Sequence, residues 1–169
     1  MKSRAVRINL ILVLVLITCL AVAFPANADA PSTPVAWVNS ATNSNNSPLG
    51  HSSLKCTVKL LTDGTTVGDV VLHNMDTGTR EFGNTFDQTA TRYWTENGSK
   101  VFQFVVYLHQ EPSGFDFMFR MTFYDNGEPG IGHDAGSWEL GLGGGAWIPL
   151  TGPEPVVFSN GNTQVHLPD

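Results

Sequence analysis

The chain holds 169 residues, about one domain's worth, with 15 acidic against 9 basic side chains and a net charge of −6. Nucleic acid and anionic membrane surfaces are poor partners for such a chain, because affinity for them comes from Lys and Arg neutralising phosphates. The sequence carries neither a repeat at solenoid or propeller spacing nor a recognisable catalytic constellation.

Residues 1–30 run from basic (Lys2, Arg4, Arg7) through an apolar stretch, Ile8 to Phe24, to small residues ending at Ala30. That order predicts a secretory signal peptide and a secreted, extracellular or cell-envelope product with no membrane span after cleavage. The alternatives are an uncleaved anchor, for which the apolar stretch is short, and a lipoprotein at Cys19, where Thr18 fits badly. The segment holds three of the nine basic and one of the fifteen acidic residues, so six against fourteen remain, a net −8. Cys19 would leave with it, and Cys56 would then have no intramolecular partner. It shares parity with Leu54, Val58 and Leu60, which suits a buried inert thiol, with an intermolecular disulfide as the alternative.

Residues 31–51 are rich in Ser, Asn, Thr and Pro and are read as a flexible tether, with the Val-Ala-Trp-Val island around Trp37 able to dock on the domain. From residue 52 to 169 the period becomes two. Leu54 to Leu60 alternate with Lys55, Thr57 and Lys59, and Thr62-Asp63-Gly64 turns the chain. A second strand holds Val70 and Leu72 and ends at Asn74 to Gly78. Further strands are expected around Arg80 to Phe82 and from Phe86 to Trp94, followed by a hairpin at Asn97-Gly98. Phe102, Phe104, Val106 and Leu108 then share one face, as do Phe115, Phe117, Phe119, Met121 and Phe123 beyond the turn at Glu111 to Gly114. Such alternation predicts half-buried antiparallel strands. Shorter strands are expected at 137–142, 156–159 and 162–167. Glycine and proline interrupt every stretch that could be helical, so the predicted class is all-β, an antiparallel sandwich or small barrel.

Asp125, Asn126, Glu128 and Asp134 could offer oxygen ligands to calcium from one loop. The EF-hand template fails, since Gly127 and Pro129 occupy its third and fifth positions. The loop is therefore read as a structural turn, with calcium as the alternative occupant and no other cofactor expected. His133, Asp134 and Ser137 crowd one loop, where triad members rarely converge. Gly141 to Gly145 lack the Lys-Ser/Thr of a phosphate cradle. The histidines 51, 73, 109, 133 and 166 lack zinc spacing, leaving only a convergence of His73, His109 and His166 from separate strands. Trp94, Trp138 and Trp147, with Trp37, Tyr93 and Tyr107, could stack on sugar rings, or pack the core.

Three stretches carry a resemblance: Gly68-Asp69-Val70-Val71-Leu72-His73-Asn74 with Thr77-Gly78; Met121-Thr122-Phe123-Tyr124-Asp125-Asn126-Gly127-Glu128-Pro129-Gly130; and Ser159-Asn160-Gly161-Asn162-Thr163-Gln164-Val165-His166. In these the chain resembles the small secreted bacterial β-domains labelled post-COAP. The chain departs from that pattern at Leu54 to Val58 and in a long Pro/Gly-rich segment, Gly143 to Pro155. The resemblance implies a secreted β-domain and brings no reaction with it. The expected function is non-enzymatic, binding or adhesive toward an extracellular ligand. A secreted glycan hydrolase using paired Asp/Glu is the alternative.

Overall fold

A computed structural model describes residues 32–47, 50–127 and 134–168. The predicted signal segment 1–30, Glu128 and His133 lie outside the described residues. Every strand belongs to the unit Thr33–Asp169. In chain order the strands are β1 Pro34–Ser47, β2 Gly50–Leu61, β3 Thr66–Asn74, β4 Thr79–Phe86, β5 Arg92–Glu96, β6 Ser99–Glu111, β7 Asp116–Asp125, β8 Ala135–Gly141, β9 Trp147–Pro149, β10 Val156–Val157 and β11 Asn160–His166. All pairings are antiparallel and no helix occurs among the described residues, so the chain is all-β as its patterning predicts. No described helix is long and apolar enough to cross a membrane.

The strands form one sheet in the order β10-β8-β7-β6-β4-β3-β2-β1-β11, with β5 pairing on β6 and β9 on β8. The sheet is not closed by a ladder, yet β11, at one end of that order, touches β6 and β7. It curls over one face, and that face is the core. Large rings fill it from β6, β7 and β8: Phe102, Phe104, Phe123 and Trp138. β1 and β2 face them with smaller residues, Ala36, Val38, Cys56 and Val58. Small side chains opposite large ones let the layers interdigitate at native density.

The predicted tether is corrected here. Residues 34–47 form β1, paired along its length with β2 and along much of it with β11. Its inward residues Ala36, Val38, Ser40, Thr42 and Ser44 are all buried. Ser, Thr and Asn read as loop formers in isolation, but here the period of two carries small polar residues against the aromatic side of the core. Trp37 faces outward and stacks on His166 at 4.5 Å.

Two further expectations change. Phe86 to Trp94 is not one strand, because Asp87 folds the chain: its Oδ1 accepts from the Thr89 N–H at 2.9 Å, and its carbonyl accepts from Ala90 at 3.2 Å. The gap beside β3 is filled by the Gln88 side-chain amide, which bonds both the N–H and the carbonyl of Thr66, much as a neighbouring strand would. Phe115 is 65% exposed and Phe117 half-buried, so the predicted apolar face becomes core only from Phe119 onward. The Asn97-Gly98 hairpin forms as expected, with φ of 50° and 87°.

Candidate functional site

A charged and aromatic concavity lies on the outer face of β3, β4, β6 and β7. β4 pairs with β6 in register as far as Phe82↔His109, slips, and resumes at Thr85↔Tyr107. Such a bulge bends and twists its strand. Gly83 sits in it so close to β6 that a Cβ there would lie 2.0 Å from the Tyr107 carbonyl oxygen. Only glycine permits that approach. The result is a groove of about 530 Å³ lined by Asp69, Arg80, Phe82, Tyr107, His109 and Asp116.

Strand alternation places all six on one face. Arg80 lies 5.1 Å from the centroid of the Phe82 ring, and His109 meets that ring edge-on at 5.5 Å. His109 Nδ1 and Asp116 Oδ1 are 2.8 Å apart, which fixes the imidazole orientation. Arg80 also pairs with Glu111 at 4.0 Å. Tyr107 is 45% exposed, an unusual position for a large ring in mid-sheet. The groove thus offers one open aromatic ring, a second held between Arg80 and His109, and carboxylate, imidazole and guanidinium groups around them.

The sequence-predicted residues distribute differently. Asp125 and Asp134 come together at the end of β7, where their carboxylates hold the free edge of β11. Asp125 Oδ2 accepts from the Val165 N–H at 2.9 Å, and Asp134 Oδ2 from the Thr163 N–H at 2.7 Å. The other oxygens accept from Gly127 at 2.9 Å and Asn126 at 3.3 Å. Asn126 takes a hydrogen bond from the Ser99 hydroxyl. Thr163 and Val165 are two residues apart, so their N–H groups leave the same strand edge. The two aspartates replace the neighbouring strand that this edge lacks.

Trp138 is corrected from a sugar-stacking candidate to core: it is 4% exposed, packed edge-on to Phe158 at 5.8 Å and 6.5 Å from Phe123. Trp94 and Trp147 do lie on the outer face, but in register they sit six residues apart along β6, about 20 Å. Trp94 donates to Glu96 at 3.1 Å, and Trp147 lies over the Arg120 guanidinium at 4.6 Å beside the Arg120–Glu139 pair. They form no joint platform. His73, His109 and His166 stay on β3, β6 and β11, and among the described residues no three His, Cys, Asp or Glu side chains gather to hold a metal ion. Cys56 is buried, and burial pushes its thiol far up from its ordinary value.

No family model, curated protein or solved structure matches the chain.

Of the groove, sequence reasoning had named Tyr107 as a stacking ring and His109 as a zinc candidate. Asp69, Arg80, Phe82 and Asp116 were missed. The available signal was Gly83-Asn84 inside an otherwise alternating strand, the mark of a bulge or close backbone approach.

Proposed function

We propose that this is an exported, non-enzymatic binding domain that holds a carbohydrate in the groove beside the β4 bulge. The observation that carries the reading is the exposed Tyr107 ring standing in mid-sheet among Asp69, Asp116, His109 and Arg80. A sugar presents C–H faces to aromatic rings and hydroxyls to charged side chains, and a site with a few convergent polar groups around apolar walls fits that chemistry. Export rests on the composition of residues 1–30, and kinship with the post-COAP domains rests on the three sequence stretches given above.

The hydrolase alternative would use Asp69 and Asp116, the two carboxylates of the groove. Three strand intervals separate β3 from β7 in the sheet order, about 14 Å at about 4.8 Å each. Glycosidases hold their carboxyl groups about 5–9.5 Å apart. The strands that carry the two carboxylates are thus farther apart than that range, which favours binding over hydrolysis.

A glycan array probed with the full chain tests the reading. Retention of one glycan class is expected, with Tyr107→Ala and Phe82→Ala each weakening it about tenfold or more and Trp147→Ala leaving it unchanged. Retention that survives both groove substitutions would place the site elsewhere. Release of reducing ends that stops in Asp69→Asn or Asp116→Asn would make the domain an enzyme.

A further inference from the structure

Glu81 lies between two residues of the outer groove and faces the other way. Strand alternation turns Arg80 and Phe82 outward and Glu81 inward, where it is 6% exposed. Its Oε1 accepts from the Gln110 side-chain amide at 2.7 Å, while Oε2 is buried and has no hydrogen-bond partner among the described residues. Burying a carboxylate oxygen without a donor is costly, and retained examples call for an explanation.

Glu81 lines a cavity of about 290 Å³ at one end of the inner face, whose other walls include Leu72, Phe117, Phe119 and Leu140. None of its lining residues belongs to the outer groove. The ring of Phe115, 65% exposed, stands 6.4 Å from Phe117, which in turn meets Phe119 edge-on at 6.3 Å. An apolar ladder therefore leads from solvent to the cavity. The cross-strand row Thr42–Leu54–Leu72–Glu81 continues the inner face away from it, and Thr42 Oγ1 is likewise buried without a partner. This end of the core holds polar groups that the described residues leave unsatisfied.

We infer that this cavity is a second binding site, separate from the proposed glycan groove, for a small ligand that joins an apolar body to a protonated amine. An ammonium supplies the donor and the opposite charge that Glu81 Oε2 lacks. The carboxylate's last torsion is soft, so Oε2 can turn toward an incoming donor as the Gln110 amide follows Oε1. The faces of Phe117 and Phe119 attract a cation through their quadrupoles. Leu72 and Leu140 take the apolar remainder. The volume falls at the small end of ligand sites, about 300–1,000 Å³, which suits a single ring or a short alkyl chain.

The test uses the full chain, labelled with ¹⁵N and titrated with phenethylamine, 2-phenylethanol and phenylacetate. The amine is expected to give saturable shifts centred on Leu72, Glu81, Gln110 and Leu140. The alcohol should bind more weakly and the acid not at all. Glu81→Gln, which keeps shape and removes charge, should weaken the amine about tenfold or more, and Leu140→Trp should fill the cavity and abolish binding. Equal affinity for all three compounds, shifts centred on Tyr107, or no saturation at millimolar amine would each overturn the site. If Glu81→Gln does not fold, the ranking of the three ligands on the unaltered chain decides alone. Shifts at the groove and at the cavity are distinct residues, so failure of one site leaves the other independently readable.

Discussion

The β6–β7 hairpin and the β1–β11 pair are both central to the core, but they are held by different forces. The hairpin buries rings: Phe102, Phe104 and Phe123 are 0%, 0% and 1% exposed, with Phe104 stacked on Phe123 at 5.9 Å. Its cohesion comes mostly from apolar area removed from water. The β1–β11 pair buries Ala36, Val38, Ser40, Thr42, Thr163 and Val165 instead. It is held by its ladders, by the Ser40–Thr163 hydroxyl bond at 2.9 Å, and by Asp125 and Asp134 gripping the outer edge. The first mode is local, between strands joined by a short turn. The second ties residues 29 to 129 positions apart, so it exists only once the rest of the sheet is in place.

The hairpin should therefore break through volume. Phe123→Ala removes a fully packed ring and is expected to cost about 3–5 kcal/mol in urea denaturation. Phe115→Ala, at the exposed end of the same face, should stay within about 0.5 kcal/mol, with Phe117→Ala between them. A flat series would mean that the rings do not pack in the graded way their burial indicates.

The edge should break through hydrogen bonding. Asp134 is 3% exposed, and Asp134→Ala strands the Thr163 and Asn126 amides. The expected loss is about 2–3 kcal/mol. Amide exchange should accelerate at Thr163 and Val165 while Phe104 stays protected. Millimolar calcium should leave the melting temperature unchanged. A rise of several degrees that disappears in Asp134→Ala would instead make this loop a calcium site, since a ligand that binds only the native state stabilises it by mass action.

The same contrast explains what could be read in advance. The Phe-rich strands are legible because large apolar residues recur at every second position from Phe115 to Phe123, the period of a strand with one buried face. β1 did not, since Ser40, Thr42 and Ser44 carry the right parity but the wrong chemistry for a core position viewed alone. Only the large rings across the core make small hydroxyl side chains the ones that fit. Asp125 and Asp134 were recognised as a cluster, yet their partners on β11 lie 40 and 29 residues downstream, beyond any local motif. The groove was obscured for a related reason: Asp69, Phe82, Tyr107 and Asp116 stand on four strands, and nothing in their spacing announces a common face.

Cys56 probes the junction between β1 and β2 through pH. It lies opposite Ser40 in register, and burial keeps it protonated. In the unfolded chain a thiol ionises near about 8.5. Above that pH the unfolded state binds fewer protons than the folded one, so stability falls as pH rises, by about 1.4 kcal/mol per unit. Cys56→Ala should lose this slope between about pH 9 and 10. Tyr124, also raised by burial, acts in the same direction at higher pH. An identical slope in the variant would show that the thiol meets solvent.

One expected effect has the opposite sign. Thr42 is 4% exposed, its inward side chain flanked in register by Leu54, and its hydroxyl has no partner among the described residues. Valine has nearly the same shape and the same β-branched preference for a strand. Replacing an unpartnered buried hydroxyl by a methyl removes a desolvation cost without opening a cavity. Thr42→Val should therefore stabilise the fold by about 1 kcal/mol, seen as a higher urea midpoint at unchanged slope. Ser40→Ala, which breaks the bond to Thr163, should destabilise by a similar amount. Opposite signs at two positions one row apart would confirm that β1 is held by particular hydroxyl bonds rather than by polarity in general. If Thr42→Val destabilises as Ser40→Ala does, the Thr42 hydroxyl has a partner in solution and the β1 face is a satisfied polar network.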